Sequence, residues 1–377
     1  MTYDILYESC PWHTRAALFD DRGRLLSLRL DDPSRPLIED TVVLGRVRRV
    51  VQGVNAAFVD IGDREDAFLR LNSLPNDVPV PTEGQPLMVR VTRGSDMQKG
   101  ARVDARVSLK MPTGELKIPS ILAKAPSALR RALMDAGDHP IRCWVVDERS
   151  RAEVEEFVGE DRVFQLNQHD NMDLLEQVDT QLDNMHTRSY PIAGGQVTVE
   201  ITKALAAIDV DAGDLGSGSR KTSVLEVNKR AAAEVVRLCR LLDLGGNIVV
   251  DFVSMGNAKS RKVIQDYLKE QFVLRDMAKV EVFPMSRFGL LEINRERRGA
   301  MIHELMEYPA YVAGRILLEI WRERGGLGDI YVDAATEVAD VLKQCVTTDA
   351  ALAYFGRPLT VKAQEGWPMT KFATAVG

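Results

Sequence analysis

Residues 205–213 read LAAIDVDAG: an apolar run that ends on two aspartates, Asp209 and Asp211, with one valine between them. Successive side chains of a β-strand point to opposite faces, so residues two apart share a face. As a strand, this stretch buries its aliphatic residues and puts both carboxylates on one side. A second run, GGNIVVDFV at 245–253, also passes from apolar residues into an acid, Asp251. Neighbouring strands lie about 4.8 Å apart, so adjacent placement brings Asp209 and Asp251 together. At about 4 Å and an effective dielectric near 20, two such charges repel by roughly 4 kcal/mol. They must share a proton, meet a cation or bind a metal. Oxygen donors without His or Cys select Mg²⁺ or Mn²⁺. The other reading of these acids is as turn formers or helix N-caps, and Asp211, followed by Ala-Gly, fits a turn better than Asp209 or Asp251 does.

The rest of the chain gives these runs a context. From Gly195 onward strands and helices alternate: QVTVEIT and ALAAID, a Gly/Ser loop AGDLGSGS, a helix from about Ser223 to Leu242, the strand GGNIVVDFV, a basic helix from about Lys259 to Arg275, and the strand KVEVFPMS. That is an α/β pattern, and open α/β sheets carry their chemistry at the carboxyl ends of the strands. Upstream, DILYES, RAALFD and RLLSLRL read as strands joined by turns. TVVLGRVRRVV, AAFVDIG, DAFLRL and LMVRVTRG follow at the near-regular spacing of a small barrel. SALRRALMDAG reads as a short helix stopped by Gly137, IRCWVVD as a buried strand, RAEVEEFV as a helix and HDNMDLLEQVDTQLDNMH as an acidic helix. The tail adds the helix GRILLEIWRER, the strand DIYVDA, a second helix and the strand PLTVKAQ.

Within the barrel stretch, Phe58 and Phe68 stand ten residues apart across a polar turn. Side by side on antiparallel strands they form a stacking platform for bases, worth about 1–3 kcal/mol per base, with Arg46, Arg48, Arg49 and Arg70 as the surrounding charge. The competing reading makes both rings core residues, the usual place for Phe.

Composition narrows the class of protein. The 377 residues carry a formal net charge of −6, which on its face disfavours a phosphate-rich partner. The distribution reverses that for two stretches: Thr41–Lys110 holds 11 Lys/Arg against 8 Asp/Glu, and Lys259–Arg298 holds 10 against 6. The basic helix in the second stretch reads equally as a guide for RNA or as a solvated face balanced by Asp266 and Glu270. No apolar run reaches the roughly 20 residues of a membrane span, so no membrane partner is expected. The N-terminal MTYDILYES lacks the basic-then-apolar pattern of a secretory signal. The four cysteines, Cys10, Cys143, Cys239 and Cys345, are scattered without a C-x-x-C pair. A reducing, cytoplasmic location is the expectation.

Taken in order, the motifs resemble one family. GRVRRVVQGVNAAFVDIGDREDAFLRL (45–71) resembles the OB-fold RNA-binding module of the ribonuclease E/G family, and ALAAIDVDAG, LCRLLDLGGNIVVDFVSM and SRFGLLEINRERR resemble its DNase-I-like catalytic subdomain. DILYESCPWHTRAALFDDRGRLLSLRL and the stretch from ILAKAPSALRRALMDAG to YPIAGG resemble the two parts of an RNase-H-like subdomain with the OB module inserted between them. IYVDAATEVADVLK and FGRPLTVKAQ resemble the small C-terminal domain. The resemblance implies the following domains: 1–39 and 113–192 RNase-H-like, 40–112 OB-fold, 193–299 DNase-I-like, 300–309 a linker and 310–377 the small C-terminal domain. It further implies that Asp209 and Asp251 hold the catalytic Mg²⁺. Phe58, Phe68 and Lys99, the last in QKGARVDARVSL, then contact single-stranded RNA. The activity implied is endonucleolytic cleavage of single-stranded, A/U-rich RNA by metal-activated water, leaving a 5′-phosphate and a 3′-hydroxyl.

Three departures from the family pattern qualify the expectation. Asp211 stands where the family has Asn, which adds a charge and removes a hydrogen-bond donor and makes Asp211 a candidate third metal partner. The family's separate subdomain that senses a 5′-monophosphate is replaced by the short bridge SLKMPTGELKIPS, so cleavage is expected to ignore the 5′ end. The family's cysteine-based zinc link is absent: AMIHELMEYPAYVAG follows NRERRG, and His303 with Glu304 reads as surface or capping residues. No structural zinc is expected, and the chain is expected to be a monomer or a dimer without a shared zinc. The rival expectation is a non-catalytic RNA-binding protein that keeps the scaffold.

Overall fold

The structure is a computed structural model that describes residues 2–31, 37–75, 78–95, 99–110, 114, 116–166, 172–183, 188–202, 204–213, 223–306, 308–322 and 326–377. Most of the Gly/Ser loop expected at 212–219 and part of the bridge at 108–120 lie outside the described residues. The fold is mixed α/β in two compact units. One contains residues 32–127 with 298–300, and the other contains 1–31, 128–297 and 301–377.

The smaller unit is built on a closed barrel. Val42–Val51, Ala56–Asp60, Ala67–Arg70, Arg102–Asp104 and Pro86–Arg93 pair in that order, and the last returns to the first. This is the five-stranded closure of an OB-type barrel, with Ser120–Ala123 added to the side of Val42–Val51. Closure follows from alternation. Val43, Val47, Ala57, Val59, Ala67, Leu69, Val89, Val91 and Val103 point into one apolar core. Gly45 is required where strands crowd: a Cβ there would lie 2.7 Å from the Asp60 carbonyl oxygen.

The larger unit holds three sheets. In the first, the antiparallel strands Tyr3–Cys10, His13–Phe19 and Leu25–Asp31 continue through Ile141–Val145 and Val163–Gln165, both parallel to their neighbours. The chain for the barrel leaves after the third strand and returns before the fourth. The sheet therefore completes itself across the insertion, in the order of an RNase-H-like sheet. The second sheet runs Ser189–Ile192, Gly195–Ile201, Ala206–Ala212, Gly246–Asp251, Leu290–Arg295, Val280–Val282. Helices Val224–Leu241 and Ala258–Arg275 cover one of its faces: Ile208, Val210, Ile248, Val250, Leu291 and Ile293 share a core with Ala231, Val235, Ile264 and Leu268. Their N-termini are capped by Ser223, which accepts from the Glu226 N–H, and by Asn257, which accepts from the Ser260 N–H. The third sheet, Leu359–Gln364, Ile330–Ala335 and Phe372–Val376, packs on Pro309–Arg322, Thr336–Cys345 and Thr348–Phe355. Among the described residues no helix is long and apolar enough to cross a membrane.

Strands Leu290–Arg295, Ser189–Ile192 and Phe372–Val376 and the helix Thr348–Phe355 were not anticipated from pattern. Each is short, four to eight residues, so tertiary pairing and packing, not local periodicity, make them regular.

Candidate active site

Asp209 and Asp251 are direct partners in the parallel pairing of Ala206–Ala212 with Gly246–Asp251. The intervening helix Val224–Leu241 is the crossover that parallel neighbours require. Because Ile208, Val210, Ile248 and Val250 are drawn into the core, alternation forces both aspartates onto the opposite, exposed face. Asp211 is on that face as well. The expectation that it forms a turn is corrected here: Asp211 lies within the strand, paired with Gln196 of Gly195–Ile201. Closure of the ladder by this neighbouring strand outweighs the turn preference of Asp-Ala-Gly. Gly195 permits it, since a Cβ at that position would sit 2.1 Å from the Asp211 carbonyl oxygen.

The neighbouring carboxylates act on Asp209. Partial burial, then the like charges of Asp211 and Asp251, push the Asp209 carboxyl above the ordinary aspartate range. Asp211 has its own brace: Gln196 Nε2 donates to its Oδ2 at 3.3 Å, and the Ser189 hydroxyl pairs with Gln196 Oε1 at 3.0 Å. On the far side, Leu290 pairs with Asp251 and Glu292 pairs with Val249. That puts the exposed Glu292 diagonally across from Asp251 on the same face.

Gln196, Ser189 and Glu292 escaped sequence reading because each reaches the acidic face only through strand register. The donor set consists of carboxylate oxygens, which suits a hard divalent ion. Among the described residues, however, no three His, Cys, Asp or Glu side chains are grouped as an existing metal cage.

The backbone beyond Asp251 is held from below. Asn228 is wholly buried in the helix Val224–Leu241; its Nδ2 donates to the Val253 carbonyl at 2.8 Å and its Oδ1 accepts from the Val253 N–H at 3.1 Å. Arg295, at the end of Leu290–Arg295, joins a buried ion network. It bonds Asp276 at 2.8 and 3.2 Å and Asp243 at 3.3 Å, and Arg29 meets Asp243 at 2.7 Å and Asp135 at 2.6 Å.

On the barrel, Phe58 and Phe68 are direct cross-strand partners, with ring centroids 5.9 Å apart at 77°. Both are half-buried, not core residues, because the inward positions are taken by Ala57, Val59, Ala67 and Leu69. Arg49 lies 4.9 Å from the Phe58 ring and Arg102 6.0 Å from the Phe68 ring. Arg46 donates to the Gly84 carbonyl, while Arg48 pairs with Asp60. Lys99 is exposed in the connection between Pro86–Arg93 and Arg102–Asp104.

Of the cysteines, Cys10, Cys143 and Cys239 are buried and Cys345 is exposed; burial pushes the first three thiols up to about 11, 12 and 12. Glu304 accepts from the Met301 N–H, capping the short helix Ile302–Leu305.

Fold and site thus define a class: an α/β protein with an OB-type barrel inserted into one sheet and an acidic pair on the exposed face of another. Residues 95–298 match the sequence model of the Ribonuclease E/G family. The chain belongs to that family. It is 25% identical to ribonuclease G of Escherichia coli (strain K12), an alignment that covers 81% of this chain and 82% of that protein. It is 24% identical to ribonuclease E of the same strain, over 77% of this chain and 36% of that protein. To the chloroplastic ribonuclease E/G-like protein of Arabidopsis thaliana it is 31% identical, over 53% of this chain and 21% of that protein. The chain therefore spans about a third of ribonuclease E and a fifth of the plant relative.

Proposed function

We propose that this protein is an endoribonuclease that cleaves single-stranded, A/U-rich RNA in RNA processing or decay. The observation that carries the reading is the register pairing of Asp209 with Asp251 on the exposed face of the second sheet. Family membership and the names of the relatives support it. Asp209 and Asp251 would hold a divalent cation, Mg²⁺ or Mn²⁺, with Asp211 as a third carboxylate. Such an ion, when bound, supplies charge neutralisation for the phosphodiester and lowers the pKa of a water. Attack of water on phosphorus with breakage of the P–O3′ bond leaves a 5′-phosphate and a 3′-hydroxyl. The protein's own contribution is to keep these carboxylates convergent and fixed, through the parallel ladder, the Gln196 contact and the Asn228 brace. Phe58 and Phe68, with Arg49 and Arg102, are assigned to stacking and charge contacts with the RNA, and Lys99 to a further backbone contact.

A monomer, or a dimer without shared zinc, in a reducing cytoplasm is the accompanying reading; four scattered cysteines without a C-x-x-C pair, three of them buried, support the compartment. Cleavage is taken to be indifferent to the RNA 5′ end. A second reading is an RNA-binding protein without catalysis that keeps the scaffold: Asp211, standing where the family has Asn, alters the acidic site itself. A fluorescent single-stranded A/U-rich oligonucleotide separates the two. Mg²⁺-dependent cleavage that chelator and Asp251→Asn abolish supports the enzyme. Tight binding with no cleavage supports the alternative.

A further inference from the structure

Among the described residues outside the barrel, the most exposed phenylalanine is Phe288, at 88%. Its exposure is built in. The turn Ser286–Gly289 is stapled at both ends: the Ser286 N–H donates to the Leu290 carbonyl at 2.8 Å and the Gly289 N–H to the Ser286 carbonyl at 3.2 Å. The Ser286 hydroxyl also accepts from the N–H groups of Phe288 at 3.3 Å and Leu290 at 3.2 Å. Gly289, at φ 90°, takes the left-handed conformation that closes the turn. A rigid turn thus presents a large apolar ring to solvent, which singly would be unremarkable.

Its location gives it meaning. Leu290, two residues on, is the direct register partner of Asp251. Two residues of chain reach at most about 7 Å, so the turn carries the ring at the margin of the acidic pair. Positive charge flanks the turn: Arg287 is exposed beside Phe288, and Lys259 is exposed in the first turn of the helix that follows Asp251, where Lys262 pairs with Asp266 at 2.8 Å. An aromatic face with flanking cations is the combination that binds single-stranded nucleic acid through base stacking and backbone charge. It is also the complement the carboxylates lack, since they repel the phosphates they would have to approach.

We propose that Phe288 is a base-stacking residue that holds one nucleotide of an RNA strand next to the Asp209–Asp251 pair. This rests on the nuclease reading of that pair. Phe288 sets which phosphodiester is presented for cleavage.

The test measures equilibrium binding, in chelator, of a fluorescein-labelled single-stranded A/U-rich RNA and of a series in which each nucleotide in turn is abasic, for wild type, Phe288→Ala and Phe288→Trp. The expected result is about tenfold weaker binding of the intact RNA by Phe288→Ala, affinity restored in Phe288→Trp, and one abasic position that costs wild type the same factor but costs Phe288→Ala nothing more. Equal affinities of wild type and Phe288→Ala for every RNA overturn the proposal. So does a concentration-dependent self-association that Phe288→Ala abolishes while RNA affinity is unchanged, because the ring then serves a second copy of the chain. Cleavage in Mg²⁺ by wild type and Asp251→Asn, read separately, decides the nuclease assignment, so its failure is distinguishable from failure at Phe288.

Discussion

Asn228 grips Val253 with both ends of its amide, accepting from the N–H and donating to the carbonyl, two residues beyond Asp251. Asn228 is wholly buried, and through it the backbone leaving Asp251 is tied to the helix Val224–Leu241. The carboxylate that must converge with Asp209 is therefore positioned by a side chain from another element.

Loss of that grip is expected to be felt at Asp251 before it is felt globally. Asn228→Ala leaves the two Val253 backbone groups without their partner, at a cost of about 1–3 kcal/mol, readable by urea unfolding. Asn228→Asp is expected to be worse at neutral pH, since an ionised carboxylate cannot donate to the Val253 carbonyl. Both variants should lower RNA cleavage more than RNA binding. Unchanged cleavage in a folded Asn228→Ala protein would remove the positioning role.

The raised pKa of Asp209 has a definite sign in stability. Its carboxyl keeps its proton to higher pH in the folded chain than in the unfolded one. Below both pKa values the group contributes nothing. As pH rises the unfolded chain ionises first and the folded state loses stability, the loss being complete above the folded pKa. Asp209→Asn should therefore raise the melting temperature at neutral pH, and the gain should vanish below about pH 4. Thermal melts across pH check this; a gain that persists in acid would place its origin elsewhere.

Asp211 adds a third charge on the face of the acidic pair. Mg²⁺ should raise the melting temperature of the wild type in proportion to site occupancy, with the midpoint shifted to higher Mg²⁺ in Asp211→Asn and the effect largely lost in Asp251→Asn. Cleavage by Asp211→Asn equal to wild type throughout a Mg²⁺ titration would eliminate Asp211 as a metal partner.

The paired rings of the barrel predict an affinity effect without a folding effect. Phe58 and Phe68 are half-buried on the outer surface of the strands, so alanine at either should leave the barrel intact while weakening single-stranded RNA binding roughly 5- to 150-fold. Normal affinity in the double variant would return the rings to a packing role.

The ion network beneath the second sheet makes the opposite kind of prediction. Burial disfavours the Arg295 charge, but its bonds to Asp276 and its attraction to Asp243 outweigh that and raise its pKa. Arg295→Met strands buried Asp276 and should destabilise by about 3–5 kcal/mol, seen as a lower urea midpoint. Replacing Arg295 and Asp276 together by apolar residues should recover part of the loss.

How much of this was legible beforehand divides by range. Alternation within LAAIDVDAG places Asp209 and Asp211 on one face without knowledge of any partner, and the apolar runs announce the barrel and the strands of the α/β sheet. The run of motifs in order was sufficient to indicate the Ribonuclease E/G family to which the chain belongs. The turn expected at Asp211 went wrong because residue preference is local, whereas the strand beside it, admitted by Gly195, is a property of the sheet. Gln196, Glu292, Asn228 and Phe288 were invisible for the same cause. Asn228 acquires its place through a side-chain bond between residues 25 apart, Gln196 and Glu292 through pairing between neighbouring strands, and Phe288 through a turn whose strand, Leu290–Arg295, is placed beside Asp251 only by the sheet; no periodicity records such pairings. The order of amino acids specifies which side chains carry charge, which runs are buried and in what order the elements come. That residues 209 and 251 are register partners is a property of the folded sheet, because hydrogen bonds between strands, and not the spacing along the chain, set that register.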